Sequence, residues 1–130
     1  MGLKDVMGLT VEEARVIFSG EVQSKNSHEI RLFNNIVENL SMAEEMGLNH
    51  LSLMRKAKSL SAGEYQRLLL IKYLSFKGTD SLFVLDEPSL GLADKELQKL
   101  LVGLRQIIDQ GNTVVLIDHS EVLQKNSDHL

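Results

Sequence analysis

The sequence has no cysteine, a single proline and few aromatic residues, which make up 5% of its 130 positions. The lack of cysteine excludes disulfide bonds and metal sites built on thiolates. No apolar run approaches the roughly 20 residues of a membrane-spanning helix, and the N-terminus lacks the pattern of a secretory signal peptide. The formal net charge of −4 argues against a protein that coats nucleic acid by charge alone. We therefore expect a cytoplasmic protein with no membrane partner.

The sequence also lacks a phosphate-binding loop of the form GxxxxGK[ST]. That loop needs two glycines five positions apart, with a lysine directly after the second. None of the nine glycines is followed by lysine, and no two of them are five positions apart. The lysine and the hydroxyl that such a loop offers to phosphates and Mg²⁺ are therefore absent from these residues.

The first part of the chain is predicted to be mostly helical. Apolar residues make up 43% and charged residues 25%, as in ordinary soluble domains. Thr10 and Glu13 form a capping box that should open a helix running to about Phe18. The polar residues 20–28 are expected to form a loop. Residues 48–59 are of mixed character and are expected to form a linker with a turn or a short strand. Between them, a helix ended by Gly47 is indicated by apolar residues at helical spacing: Ile30, Phe33, Val37, Leu40 and Ala43.

The later part of the chain predicts an α/β arrangement. Ser61 and Glu64 form a second capping box, which predicts a helix from about Ala62 to about Phe76. Residues 82–85 and 113–117 are continuous apolar runs, which predict two buried parallel strands. A helix between them, ended by Gly111, is predicted by Leu97, Leu100, Leu101, Leu104, Ile107 and Ile108. Strand, helix and strand in this order form a crossover unit of a parallel sheet, which indicates an α/β fold.

Both predicted strands end in polar residues, Asp86-Glu87 and Asp118-His119. Ligands of open parallel sheets collect outside the carboxyl ends of the strands, so we expect these four side chains to face one crevice. There Asp86 could hold Mg²⁺ through water, Glu87 could orient or deprotonate an attacking water, and His119 could bond a terminal phosphate. The alternative is that the carboxylates are solvated helix caps and the histidine is structural.

The second capping box opens a helix on an unusually small set of side chains, Ser61-Ala62-Gly63. The free amides and the positive dipole end of such a helix attract anions. Ser61 adds a hydroxyl, and Gly63 allows a phosphate to approach the backbone closely. The alternative is that Ser61 is an ordinary helix cap with no ligand.

Four motifs in a fixed order resemble those of the ATP-binding cassette (ABC) family. They are a signature motif at residues 60–64, a Walker B strand at 82–87, a D-loop at 89–94 and a switch histidine at His119. In finer detail, LSAGEYQR, DEPSLGLA and GNTVVLIDH resemble LSGGEAQR, DEPSIGLH and GNTVIVVEH of the excinuclease A subunit (UvrA) family. Upstream, DVMGLTVEEARVIF at residues 5–18 resembles DVLDMTVEEALEFF in the second half of those proteins.

The resemblance implies part of a P-loop NTPase core of the ABC type, with parallel strands and flanking helices. Residues 1–59 would form a mostly helical signature region, and residues 60–130 the signature helix and the C-terminal part of the core. ATP and Mg²⁺ are the implied cofactors. Glu87 and His119 are the implied catalytic residues, and Asp86 is the implied Mg²⁺ residue, acting through water. The other implied nucleotide contacts are Ser61, Ala62, Gly63, Glu64 and Asp94.

The resemblance also implies partners. Two nucleotide-binding halves of this family pack head to tail, and the signature of one closes on the γ-phosphate held by the other. Ser61 and Glu87 would then serve different nucleotides. A second ABC half or a homodimer partner is therefore implied, together with DNA and the excinuclease B subunit in nucleotide excision repair. A missing half of the core further predicts an exposed sheet edge, exposed apolar surface and self-association.

The sequence departs from the family pattern at three positions and lacks one motif. Ala62 replaces the first signature glycine, while Ala93 and Asp118 stand where the family usually has His and Glu. The family places the phosphate-binding loop upstream and continues through another strand downstream, which predicts a fragment without ATPase activity of its own. Two alternatives are a non-catalytic interaction module that kept the fold and a small metal-dependent hydrolase. The hydrolase would use four residues: Asp86, Glu87, Asp118 and His119.

Overall fold

The computed structural model of the chain describes residues 2–21 and 26–130. Contacts divide it into two compact units, Met1–Ile71 and Lys72–Leu130, so this boundary falls within a helix. The division at residues 59 and 60, which follows motifs, stays a prediction. In the described ranges no helix is both long enough and apolar enough to cross a membrane. The elements are α1 (Leu3–Met7), α2 (Val11–Glu21), α3 (Ser27–Glu45), a 3-10 helix (Ala57–Ser59), α4 (Ala62–Leu74), β1 (Leu82–Asp86), α5 (Asp94–Asp109), β2 (Thr113–Ile117) and α6 (Glu121–Lys125).

The first unit is built on the pair of helices α2 and α3. The predicted capping box opens α2: Thr10 N–H donates to Glu13 Oε2 at 2.9 Å, and Glu13 N–H donates to Thr10 Oγ1 at 3.3 Å. The rings of Phe18 and Phe33 meet with centroids 5.6 Å apart. Apolar residues on these two helices and in the segment that follows form the core: Val11, Ala14, Ala43, Met46, Leu48 and Leu51.

The segment after α3 lies against the start of α2. Val11 N–H donates to the Leu51 carbonyl at 2.9 Å, and Leu53 N–H donates to the Leu9 carbonyl at 2.9 Å. One antiparallel bridge joins Thr10 to Ser52. The predicted linker of residues 48–59 therefore consists of turns, one bridge and a closing 3-10 helix at Ala57–Ser59, and backbone hydrogen bonds tie it to the start of α2.

The second unit contains a parallel pair of strands joined by helix α5. The register runs from Leu82 beside Thr113 to Asp86 beside Ile117. Helix α5 packs against β2 and buries one face, on which Leu100 is completely covered. The predicted order of strand, helix and parallel strand is confirmed, and with it the α/β fold.

The prediction that both strands are buried is wrong for one face of the sheet. Leu85 is buried, but Leu82, Val84, Val115 and Ile117 are 64%, 59%, 44% and 56% exposed. These four residues alternate along the strands and share one face, because successive side chains of a strand point to opposite sides. Parallel sheets are normally covered on both faces. This apolar sheet face is therefore uncovered among the residues that the structure describes.

Several element ends differ from the prediction. Helix α2 continues to Glu21 and α3 already begins at Ser27, capped by Asn26, whose side chain accepts from Glu29 N–H at 3.0 Å. Both ends of the predicted 20–28 loop are thus helical, and residues 22–25 lie outside the described residues. Helix α4 ends at Leu74, two residues early. The short helices α1 and α6 were not predicted from the sequence.

Candidate functional site

All the predicted site residues except Asp94 form two groups. The helix-tip group, residues 61–64, lies at the start of α4 in the first unit. The strand-end group consists of Asp86, Glu87 and His119 and lies after the strands of the second unit. Asp94, the predicted D-loop residue, is the exposed first residue of α5. A carboxylate at this position is also stabilised by the positive end of the helix dipole.

The helix-tip group is organised by the predicted capping box. Ser61 N–H donates to Glu64 Oε2 at 2.8 Å, and Glu64 N–H donates to Ser61 Oγ at 3.2 Å. Since Ser61 Oγ acts here as an acceptor, its own hydroxyl hydrogen can still be donated to a phosphate oxygen. The geometry suits both readings of Ser61, as a cap and as a phosphate contact.

Glu64 has a second partner that the sequence did not indicate. His50 Nε2 lies 3.2 Å from Glu64 Oε1, across fourteen positions of the chain. The hydrogen bond from the Ser61 amide, followed by the contact with His50, holds the pKa of the Glu64 carboxyl below its ordinary value. The carboxylate therefore stays ionised and keeps its place in the cap. No local pattern marks His50, because the turn after α3 brings it there.

Gly63 has no packing reason to be glycine. A Cβ built on it meets no heavy atom within 4 Å, and its backbone is helical. Gly63→Ala should therefore raise the free energy of unfolding by up to about 1 kcal/mol, since alanine favours a helix over glycine. Urea unfolding followed by circular dichroism measures this.

Gly91 provides the matched control, because its added Cβ also meets nothing but its φ is +73°. Gly91→Ala should lower the free energy of unfolding by about 1 kcal/mol, the cost of a left-handed L-residue. Equal destabilisation by both substitutions would contradict the conclusion that Gly63 is dispensable for the fold.

In the strand-end group, the sheet register brings the two polar segments together. Asp86 pairs with Ile117, and Glu87 N–H continues the ladder by donating to the Ile117 carbonyl at 2.7 Å. Glu87 has a φ of +45°, a left-handed conformation that is unfavourable for a side chain with a Cβ. Such strain persists only where the surroundings hold it, and it is common at functional sites.

The side chains of this group suit a hydrated cation and a phosphate. Asp86 is exposed at the strand end, and its carboxylate makes no hydrogen bond or ion pair within the described ranges. Carboxylate oxygens are the ligands that Mg²⁺ prefers, usually with several of its waters retained. Glu87 and His119 are also exposed, so all three residues are accessible to a ligand.

Asp118 is engaged differently from the other polar residues at the strand ends. Its Oδ2 accepts from Ser89 N–H at 3.0 Å, and its Oδ1 accepts from the Ser89 hydroxyl and from Ser120 N–H, both at 2.7 Å. It therefore does not face a common crevice as a free ligand. Across residues 2–21 and 26–130, no three acidic or histidine side chains gather to hold a metal ion. The metal-dependent hydrolase gains no support from this arrangement.

The pKa of Asp118 makes a prediction about acid stability. Burial raises this pKa, but the hydrogen bonds from Ser89, Ser120 and the His119 amide outweigh burial and hold it below the ordinary 3.8. The ionised carboxylate thus stabilises the fold fully above the unfolded pKa, and this stabilisation is lost as the pH falls through the lower folded value. When urea unfolding is measured from neutral pH to about pH 2, the free energy of unfolding of Asp118→Asn should therefore fall less with decreasing pH than that of the unchanged chain.

Asp109→Asn is the matched control, because Asp109 is an exposed carboxylate at the end of α5 in the same unit. It should leave the acid dependence of stability close to that of the unchanged chain. An unchanged pH dependence in Asp118→Asn would show that the Asp118 carboxylate does not contribute.

Comparison with known proteins identifies the family. UvrABC system protein A of Aquifex aeolicus is 38% identical over 130 residues, which cover 97% of this chain. The protein of the same name from Bacillus subtilis is 34% identical over 124 residues, or 94% of the chain. The chain belongs to the UvrA family. No family model matches the chain.

A solved structure supports the fold. The crystal structure of UvrA2 from Deinococcus radiodurans superimposes on 96% of this UvrA-family chain with a TM-score of 0.80 and 24% sequence identity. The chain covers only a small part of these proteins: 14% of the Aquifex protein, 13% of the Bacillus protein and 17% of the Deinococcus structure. The fold is accordingly that of a segment of an ABC-type ATPase.

Proposed function

We propose that the chain is part of a UvrA-like ABC ATPase that couples ATP binding and hydrolysis to recognition of damaged DNA in nucleotide excision repair. One observation carries the proposal. The parallel register ends with Asp86 beside Ile117, so that Glu87 and the segment of His119 leave the sheet side by side. This is the edge of an α/β sheet at which ligands bind.

In this function, each strand-end residue has a separate task. Bound Mg-ATP supplies the terminal phosphoryl group that water attacks. Asp86, exposed and without a protein partner in the described ranges, would hold Mg²⁺ through water. Glu87 would orient the water that attacks the phosphoryl group and accept a proton from it at the carboxylate. His119 would donate a hydrogen bond to the terminal phosphate.

The helix-tip group would serve a different nucleotide. Its Ser61 hydroxyl and the amides of the first turn of α4 would receive the γ-phosphate of a nucleotide held by a second ABC half or by a homodimer partner. This division agrees with the absence of GxxxxGK[ST] from these residues, since each nucleotide would need a loop supplied elsewhere.

The uncovered apolar sheet face supports the view that the chain is part of a larger protein. Leu82, Val84, Val115 and Ile117 form a continuous apolar surface on a type of sheet that normally has both faces covered. Further core elements of the same ATPase would cover this surface. The larger protein would interact with DNA and with the excinuclease B subunit.

Calorimetry with Mg-ATP tests the proposal on two chains. One is the present 130 residues, and the other is extended upstream to include a phosphate-binding loop. We expect no measurable binding by the short chain and binding by the extended chain. Micromolar binding by the short chain would overturn the split site, and binding without hydrolysis by the extended chain would favour a non-catalytic interaction module.

A further inference from the structure

Two short segments leave the sheet together, and they carry the proposed catalytic residues. The segment after β1 contains Glu87, Pro88 and Ser89, and the segment after β2 contains Asp118, His119 and Ser120. Their first contact is the bond from Glu87 N–H to the Ile117 carbonyl at 2.7 Å. The next contact is made by the side chain of Asp118.

Asp118 is bound to both segments at once. Ser89 reaches it with two donors, the amide at 3.0 Å and the hydroxyl at 2.7 Å, and Ser120 reaches it with its amide at 2.7 Å. Ser89 Oγ and Ser120 N–H share one carboxylate oxygen, Oδ1. Charged acceptors make the stronger hydrogen bonds of proteins, and this carboxylate is partly buried.

Glu87 lies between two restraints. On one side, its amide is bonded to the Ile117 carbonyl, and on the other, Ser89 is bonded twice to Asp118. Pro88 between them is fully buried and restricts the backbone further. These restraints explain how a glutamate can remain at a φ of +45°.

We propose that Asp118 is a positioning residue that joins the turn carrying Glu87 to the segment carrying His119, so that the two segments move as one body. Its oxygens accept hydrogen bonds from Ser89, Ser120 and the His119 amide, so it acts through these residues and not on a ligand. The significance for catalysis rests on the proposed function, because only then must Glu87 and His119 respond to the same nucleotide. The mechanical link itself rests on the hydrogen bonds alone.

Amide hydrogen exchange of the 130-residue chain, followed by NMR, tests the link without nucleotide. The diagnostic amide in Asp118→Ala is that of Glu87, whose hydrogen bond goes to the Ile117 carbonyl and not to the Asp118 side chain. We expect its exchange to accelerate about tenfold or more, while the ladder amide of Thr113, which is bonded to the Ser81 carbonyl at 2.9 Å, stays within about twofold. Asp109→Ala, which removes an exposed carboxylate of the same unit, is the matched control. It should change neither the exchange of the Glu87 amide nor that of the Thr113 amide.

Ser89→Ala gives the reciprocal measurement, because it removes the hydroxyl donor and leaves the carboxylate with the amides of Ser89, His119 and Ser120. It should accelerate exchange of the Ser120 amide, whose hydrogen bond goes to Asp118 Oδ1 and not to Ser89. This variant carries the test alone if Asp118→Ala does not fold. Asp118→Glu, which keeps the charge, should retain most of the protection that Asp118→Asn loses.

Three results would overturn the proposal. The first is an unchanged Glu87 amide in Asp118→Ala or an unchanged Ser120 amide in Ser89→Ala, which would make each contact purely local. The second is uniform acceleration of all amides, which would make Asp118 a general contributor to stability. The third is equal behaviour of Asp118→Glu and Asp118→Asn. Failure of Mg-ATP binding by the extended chain would instead overturn the proposed function and leave this link intact.

Discussion

Glu87→Gln should lower the rate of ATP hydrolysis by about 10²–10⁴-fold in the protein that includes the phosphate-binding loop. Glutamine has nearly the shape of glutamate but cannot accept a proton from the attacking water. A glutamine should keep the conformation of the turn, because the hydrogen bond to the Ile117 carbonyl is donated by the backbone N–H and does not involve the side chain. Phosphate release at saturating ATP measures the rate, and calorimetry should show ATP binding changed by no more than a few fold.

Glu121→Gln is the control for this substitution. Glu121 is exposed at the start of α6, where it forms a surface ion pair with Lys125 at 3.3 Å. Surface pairs of this kind contribute little, so hydrolysis should continue at the unchanged rate. Equal rates for Glu87→Gln and the unchanged protein would exclude Glu87 as the catalytic base.

The elements that the sequence predicted best are those with a local signal. In both capping boxes, Thr10 with Glu13 and Ser61 with Glu64, the residues that bond each other lie three positions apart. Their hydrogen bonds form within one turn of helix, so the pattern and the structure describe the same interaction. The starts of α2 and α4 were predictable for this reason.

The strands were predictable in position but not in burial. A run such as Leu82 to Leu85 is apolar at every position, which favours a strand with both faces covered. Whether the second face is covered depends on elements that pack on it, and Val84 remains 59% exposed. The apolar residues of a strand therefore indicate which surroundings suit it, while the exposure of its side chains depends on the elements that pack on the sheet.

The least predictable features were long-range polar contacts. Asn112 is buried and makes three hydrogen bonds, to Gly78, Ser81 and Ile107, at 2.9–3.0 Å. The bonds between Asp118 and Ser89 likewise span 29 positions. Neither contact has a sequence pattern of its own, because each exists only after the strands have paired. The sequence could therefore nominate Asp118 as a polar strand end but not assign its role.

Leu100→Ala should lower the free energy of unfolding by about 2–5 kcal/mol, the range for removing a buried leucine side chain. Leu100 lies in the middle of α5 and is 0% exposed. Alanine would leave a cavity between α5 and the elements it packs on, since close-packed surroundings collapse only partly. The midpoint of urea unfolding, followed by circular dichroism, measures the loss.

Val102→Ala separates this effect from any change in helix propensity. Val102 lies two residues further along the same helix but is 57% exposed, so its replacement removes little buried surface. Its free energy of unfolding should stay within about 0.5 kcal/mol of the unchanged chain, as is usual for surface positions. If the two substitutions cost the same, α5 would not be the buried support of the sheet, and the rigid base that holds Glu87 and His119 would have to lie elsewhere.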